Sequence, residues 1–310
     1  MMDLATLTMN PTIDVACEVE RLEPVRKLRG SAARHDPGGG GINVARVFVR
    51  LGGNARCHYL AGGATGVALD GLLDLHQLVR EKTPIAGETR VCTTVIERVS
   101  GLEYRIVPEG PEVARDEWQA CLDRLADLRC DYLVACGSLP RGVPEDFYAR
   151  TAQLARKAGM RFVLDSSGEA LAQGLAHGGV FLVKPNRVEL QELTGSVLDS
   201  EAAIADAAMA IVERGDAEYL AVTMDKGGAL LASARGTLRL PAIAVPAAST
   251  VGAGDSFVAA MVHGLASGKA PADAFRYGMA AGAAAVMTPG TDLARAADTE
   301  RLYREMPGAV

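Results

Sequence analysis

The chain has little of what marks several common function classes. Its six cysteines (Cys17, Cys57, Cys92, Cys121, Cys130 and Cys136) are scattered and form no CxxC pair, and its five histidines include no HExxH or close pair. Zinc and dithiol redox motifs are therefore without support, and reduced thiols in a core are expected. GxGxxG and GxxxxGK[ST] are both absent, which removes the usual signatures of dinucleotide and P-loop binding. Positive charge is not in excess: 32 Lys and Arg face 38 Asp and Glu, for a net charge of −6. Neither nucleic acid nor membrane is expected as a partner, although a local basic pocket can still hold a phosphate. No apolar run reaches membrane-spanning length, and MMDLATLTMN shows no basic segment followed by an apolar one. A cytoplasmic location is expected.

What is present is an ordinary globular composition: 310 residues, 49% hydrophobic and 23% charged. That is enough for one large α/β domain or two smaller ones. The second half alternates. DYLVACGSL, RFVLDSS, VFLVKPN and EYLAVTM read as strands, with helices at 145–159, 187–194 and 200–214 and a short one after RFVLDSS. GGALLAS and TLRLPAI read as antiparallel strands, and alanine-rich helices follow near 255–267, 271–288 and 296–305. Strands alternating with helices predict an α/β fold with a mostly parallel sheet covered on both faces. In such sheets ligands bind beyond the carboxyl ends of the strands. The first half differs: TIDVACEVERL, KLRGSAARH, TRVCTTVIERV and EYRIVPE read as strands without intervening helices. They predict a small separate sheet over 11–32 and 85–108, set on a core of 1–10, 33–84 and 109–310.

Two glycine clusters carry the chemistry. DPGGGGINVARVFVRLGG (36–53) leads from a loop into a helix, whose glycine start lets a polar ligand approach the backbone. VPAASTVGAGDSF (245–257) sets Gly252, Ala253 and Gly254 directly before Asp255 and an apolar helix. Free N–H groups at a helix N-terminus receive an anion, and a carboxylate beside them can take a proton. Asp255 has a plainer reading as a helix N-cap. The pair Asn186 and Glu189 in KPNRVEL likewise reads as a capping box.

The two clusters in this order resemble the two signatures of the ribokinase-like (PfkB) sugar kinase family. AGGATG, CGSLPRGVP, LDSSGEAL, LVKPNRVEL and GAAAVMTPGT extend the resemblance over nearly the whole chain, to the branch acting on phosphorylated sugars. The resemblance implies a three-layer ribokinase-like fold with a small β lid, and ATP with Mg²⁺ as cosubstrate and cofactor. It makes Asp255 the base that deprotonates the acceptor hydroxyl, with Gly252, Ala253 and Gly254 as the anion hole. Lys184, Asn186, Thr223, Ser249 and Thr250 fall at nucleotide positions, and Asn186 and Glu189 at positions that organise the metal through water. Asp14, Gly38, Gly39, Asn43 and Ser138 fall at sugar positions. Lys27 and Arg90 match contacts to the sugar phosphate, against a plainer reading as solvated lid charges. The branch also implies a homodimer through the lid, with Arg90 coming from the neighbouring subunit.

The chain departs from the family at Asp225-Lys226-Gly227-Gly228, where relatives open the turn with Gly, and at Arg141, where they carry a second proline. The implied acceptor is a ketohexose phosphate, foremost fructose 6-phosphate at O1, with fructose 1-phosphate and tagatose 6-phosphate as alternatives. A silent sugar-phosphate sensor on the same fold is opposed by the intact GAGD, Asn186 and Glu189.

Overall fold

The computed structural model describes residues 3–306; positions 1–2 and 307–310, included in the expected core, lie outside the described residues. Two sheets organise the molecule. The large one has nine strands: β1 (Asp3–Thr8), β4 (Asn54–Ala61), β5 (Val79–Pro84), β8 (Tyr132–Cys136), β9 (Arg161–Asp165), β10 (Val180–Val183), β11 (Ala217–Thr223), β12 (Ala229–Ser233) and β13 (Gly236–Leu240). Their order is β13-β12-β11-β10-β9-β8-β1-β4-β5. All pairs are parallel except β11–β12 and β12–β13. GGALLAS and TLRLPAI do form the antiparallel pair.

Helices cover both faces. Alternation along β8 sends Tyr132, Val134 and Cys136 into one apolar cluster with α1 (Gly40–Arg50), α8 (Ala253–Ala266) and α9 (Pro271–Val286). Leu133 and Ala135 enter the other, with α3 (Arg115–Ala126), α4 (Phe147–Lys157) and α7 (Glu201–Glu213). The remaining helices are α2 (Gly63–Leu75), α5 (Gly168–Leu175), α6 (Arg187–Thr194) and α10 (Ala296–Glu305). No described helix is long and apolar enough to cross a membrane. No disulfide joins the six cysteines, and Cys57, Cys92, Cys121 and Cys136 are buried thiols.

The small sheet has the order β3-β2-β6-β7, with β2 (Thr12–Val19), β3 (Arg34–Gly38), β6 (Arg90–Glu97) and β7 (Glu103–Ile106). Its edge strand β3 lies later than KLRGSAARH suggests. Residues 27–33 are exposed and carry no apolar alternation; Ser31 alone reaches across, its N–H donating to Glu18 O. The strand forms instead on RHDPG, where Asp36 is anchored by buried partners. Pro37 is tolerated because β3 is an edge.

Candidate active site

The ends of β8 and β9 in the large sheet meet one face of the small sheet around a cleft of about 280 Å³. Period-two alternation aims Thr12 and Asp14 of β2, Arg90 and Cys92 of β6 and Arg105 of β7 to the same side, and all five line the cleft. Opposite them stand Gly39, Gly40 and Asn43 at the start of α1, Ser138 after β8, Asp165 at the end of β9, and Gly252 and Asp255 at the start of α8. Two helix N-termini thus open onto one volume, a favourable place for negative charge.

Gly252 is the N-cap of α8 and takes φ 72°; a Cβ there would also stand 2.3 Å from Leu293 Cδ2. Backbone conformation and space both require glycine. The N–H groups of Gly254 and Asp255 precede the first intrahelical bond, from Ser256 N–H to Gly252 O at 2.9 Å, while Ala253 N–H donates to Thr250 O at 3.4 Å. Asp255 is therefore in the first turn, not the cap. Its carboxylate Oδ2 accepts from Asn43 Nδ2 at 2.9 Å. Burial, and then Asp165, push its pKa from 3.8 up to about 6, against the Asn43 hydrogen bond and Lys184. A carboxyl poised there can ionise near neutrality and still be a competent base.

Asp14 is buried, and burial raises its pKa while Arg105, Arg46 and Arg90 oppose the shift. Its Oδ1 has no partner among the described residues, so the cleft offers a buried acceptor to a ligand hydroxyl. Gly38 makes room for it: a Cβ at Gly38 would stand 2.2 Å from Asp14 Oδ2. Arg90 donates from Nη2 to Asn10 O (2.8 Å) and from Nη1 to Pro108 O (3.3 Å), which leaves Nε without a partner among the described residues. It lines the cleft of its own chain. Arg105 stands in the same cleft and was not singled out from the sequence; its period-two place on EYRI was the available signal. Lys27 is exposed on the 20–33 loop and does not line the cleft, nor does Arg141, which pairs with Glu109 at 3.5 Å.

Lys184, Asn186, Thr223, Ser249 and Thr250, the residues at the expected nucleotide positions, do not line this cleft. Asn186 and Thr223 form a parallel bridge at the ends of β10 and β11. Asn186 and Glu189 do form a capping box on α6: Glu189 N–H donates to Asn186 Oδ1 (2.9 Å), and Asn186 N–H to Glu189 Oε2 (2.7 Å). Ser249 is buried, with Oγ accepting from Val251 N–H at 3.2 Å, and Thr250 is exposed. Lys184 is buried beneath the site, its Nζ 3.2 Å from Asp165 Oδ1 and beside Gly254. Burial works against its charge, but Asp165 and Glu189 outweigh that and raise its pKa. Asp225 opens a 3-10 turn in the left-handed region, φ 47°, which explains why Gly suits the position elsewhere.

No group of three or more His, Cys, Asp or Glu among the described residues could cage a metal. Glu189, whose pKa is raised by burial, and Asp165 both line the cleft. This sparse oxygen set fits a hydrated divalent cation that takes its other ligands from water and phosphate.

The model of the pfkB family carbohydrate kinases matches residues 7–297. ATP-dependent 6-phosphofructokinase isozyme 2 of Mycobacterium tuberculosis H37Rv is 42% identical over 304 residues, covering 97% of this chain and 88% of that one. The isozyme 2 of Escherichia coli K12 is 38% identical over 309 residues, covering 98% of each. A 1-phosphofructokinase of Bacillus subtilis is 32% identical over 280 residues, covering 90% of this chain and 91% of the other. Phosphofructokinase-2 of E. coli, solved with potassium, superposes with a TM-score of 0.95 at 37% identity, over 98% of this chain and 99% of that one. A tetrameric inhibited form of the same protein superposes at 0.93. The chain belongs to the pfkB family of carbohydrate kinases.

Proposed function

We propose that the protein transfers the γ-phosphoryl group of ATP to O1 of fructose 6-phosphate. The observation that carries the reading is the junction at Asp255: a carboxylate with raised pKa sits at a glycine-opened helix N-terminus, facing the buried acceptor Asp14. Asp14 and Asn43 orient the sugar hydroxyls. Asp255 takes the proton of O1 as that oxygen forms its bond to phosphorus, while the bond from phosphorus to the ADP oxygen breaks. First-turn N–H groups of α8 receive the charge that develops on the transferred oxygens. Asn186 and Glu189, with Asp165 nearby, would hold Mg²⁺, and the bound cation would supply charge neutralisation at the phosphates. Arg90 and Arg105 supply positive charge for the sugar phosphate at the far end of the cleft.

Similarity to both 6- and 1-phosphofructokinases leaves sugar choice to a few cleft residues. An ADP-release assay across fructose 6-phosphate, fructose 1-phosphate, tagatose 6-phosphate and unphosphorylated sugars tests the assignment. The highest kcat/KM is expected for fructose 6-phosphate. A higher value for either other phosphate would reassign the substrate, and no turnover on any sugar would leave a sensor.

A further inference from the structure

Behind the cleft lies a buried charge cluster that phosphoryl transfer does not directly use. Arg46 follows Asn43 by one turn of α1, and its side chain is 1% exposed. Its Nη1 donates to Asn43 Oδ1 (3.3 Å) and to Pro37 O (3.0 Å), and its Nη2 to Asp36 Oδ1 (3.3 Å). The second oxygen of Asp36 accepts from Arg34 Nε (2.7 Å) and Thr291 Oγ1 (2.6 Å). Asn43 in turn donates to Asp255. A buried ion pair is weak evidence for stability, because a well-packed apolar pair often serves as well. Stability alone therefore does not account for a charge at position 46.

The reason lies in the amide between the two charges. An amide side chain has a donor end and an acceptor end of nearly equal shape, and either can face a given neighbour. An ionised carboxylate only accepts, and a guanidinium only donates and keeps its proton. Asn43 satisfies both neighbours in one orientation alone, with Oδ1 to Arg46 and Nδ2 to Asp255. Turned over, it would set its N–H groups against the guanidinium and its oxygen against the carboxylate.

We infer that Arg46 is a positioning residue for the reaction: it locks the amide of Asn43 donor-first onto Asp255, and through Asp36 ties that setting to strand β3 of the small sheet. The inference rests on Asp255 being the base. Besides Asn43 on α1, Asp255 is faced by Asp165 at the end of β9, Lys184 after β10, Asp14 on β2 and the Cys136 thiol ending β8. Apart from burial, which favours its protonated form, Asp165 and Asp14 act in the same sense, and Asn43 and Lys184 oppose them. Freeing the amide weakens one of the two opposing interactions, so Asp255 would hold its proton to higher pH.

The test is the pH dependence of kcat in Arg46→Met, whose loss leaves Asp36 its contacts to Arg34 and Thr291. Expected are a kcat lowered roughly tenfold near neutrality, the scale of a misoriented reacting group, and an acid limb moved upward by about half a unit or more. The KM for ATP should be unchanged. In an Asn43→Ala background the same substitution should cost nothing further, because its route to Asp255 is already cut. Wild-type kcat with an unmoved acid limb overturns the inference, as does an undiminished effect in the Asn43→Ala background. If Arg46→Met does not fold, Asp36→Asn loosens the same fork. It should move the limb in the same direction, and an unmoved limb there is equally fatal. Asp255→Asn separates the two readings: retained turnover defeats the base assignment, whereas an inactive Asp255→Asn beside an unaffected Arg46→Met defeats only the role of Arg46.

Discussion

Asp255 is where stability and chemistry conflict within one side chain. Its pKa in the folded protein is about 6, against 3.8 ordinarily, so the fold holds this proton more tightly than the open chain does. Stability from that proton is present below the lower value and is lost as pH rises through the upper one. Above it the ionised carboxylate is a cost, kept because only the ionised form can take the acceptor's proton. Two outcomes follow for Asp255→Asn. Turnover should fall by at least ~10²-fold, the scale of general-base catalysis, with sugar affinity nearly kept. The melting temperature should rise at about pH 8 but not at about pH 4, where Asp255 is already neutral in the fold. Calorimetry at both pH values checks this, and an equal gain at both would mean that the mutation acts through packing. Arg90 poses a simpler question at the same scale. If its half-paired guanidinium holds the sugar phosphate, Arg90→Ala should raise the KM for that substrate about 10- to 100-fold, the worth of a charged hydrogen bond, and spare the KM for ATP. A loss shared equally by both substrates would assign Arg90 to holding Asn10 and Pro108 instead.

At the scale of elements, one motif can serve two purposes. The box joining Asn186 and Glu189 caps α6, and the same two residues are the proposed metal site. Glu189→Gln keeps an oxygen for the Asn186 N–H, because Gln serves in such a box, but removes the charge a cation needs. Its melting temperature should stay near wild type while the Mg²⁺ concentration for half-maximal rate rises several-fold. Asn186→Ala should lose both, with about 1 kcal/mol of cap stability. Unchanged Mg²⁺ dependence in both variants would reduce the motif to a cap. The parallel sheet and its covering helices were legible because β8 to β11 and α4 to α10 carry clean periodicity and glycine stops. The edge strand β3 of the small sheet was not, because what pins RHDPG is Asp36, held by Arg46 ten residues later and by Thr291 at the other end of the chain. Sequence spacing carries no trace of such contacts. Arg105 was harder to read: its period-two place on EYRI marks one face of β7, but only pairing opposite Thr94 on β6 makes that face the cleft side.

At the scale of the whole molecule, the small sheet looks unfinished. Tyr104 and Ile106 on β7, Leu102 and Val99 before it, and Val25 and Leu28 in the 20–33 loop are all exposed apolar side chains. Apolar surface gathered on one small sheet invites a partner, and a second copy of the chain meeting it about a two-fold axis buries both at once. Lys27 lies in that same loop, exposed and away from its own cleft, whereas Arg90 lines the cleft of its own chain. If two chains pair through this sheet, Lys27 is the charge left to reach a neighbour's sugar phosphate. Lys27→Ala and Asp255→Asn should each be nearly inactive alone at low sugar phosphate. Mixed and allowed to exchange subunits, they should regain activity, because one cleft of a mixed dimer then has its own Asp255 and the partner's lysine. About a quarter of the wild-type rate is the most that random exchange of equal amounts can return. Sedimentation at assay concentration, together with a tagged pull-down that proves exchange, makes the result decisive. An active monomer, or no recovery despite exchange, would place Lys27 among the solvated charges of the loop and leave each cleft complete within its own chain.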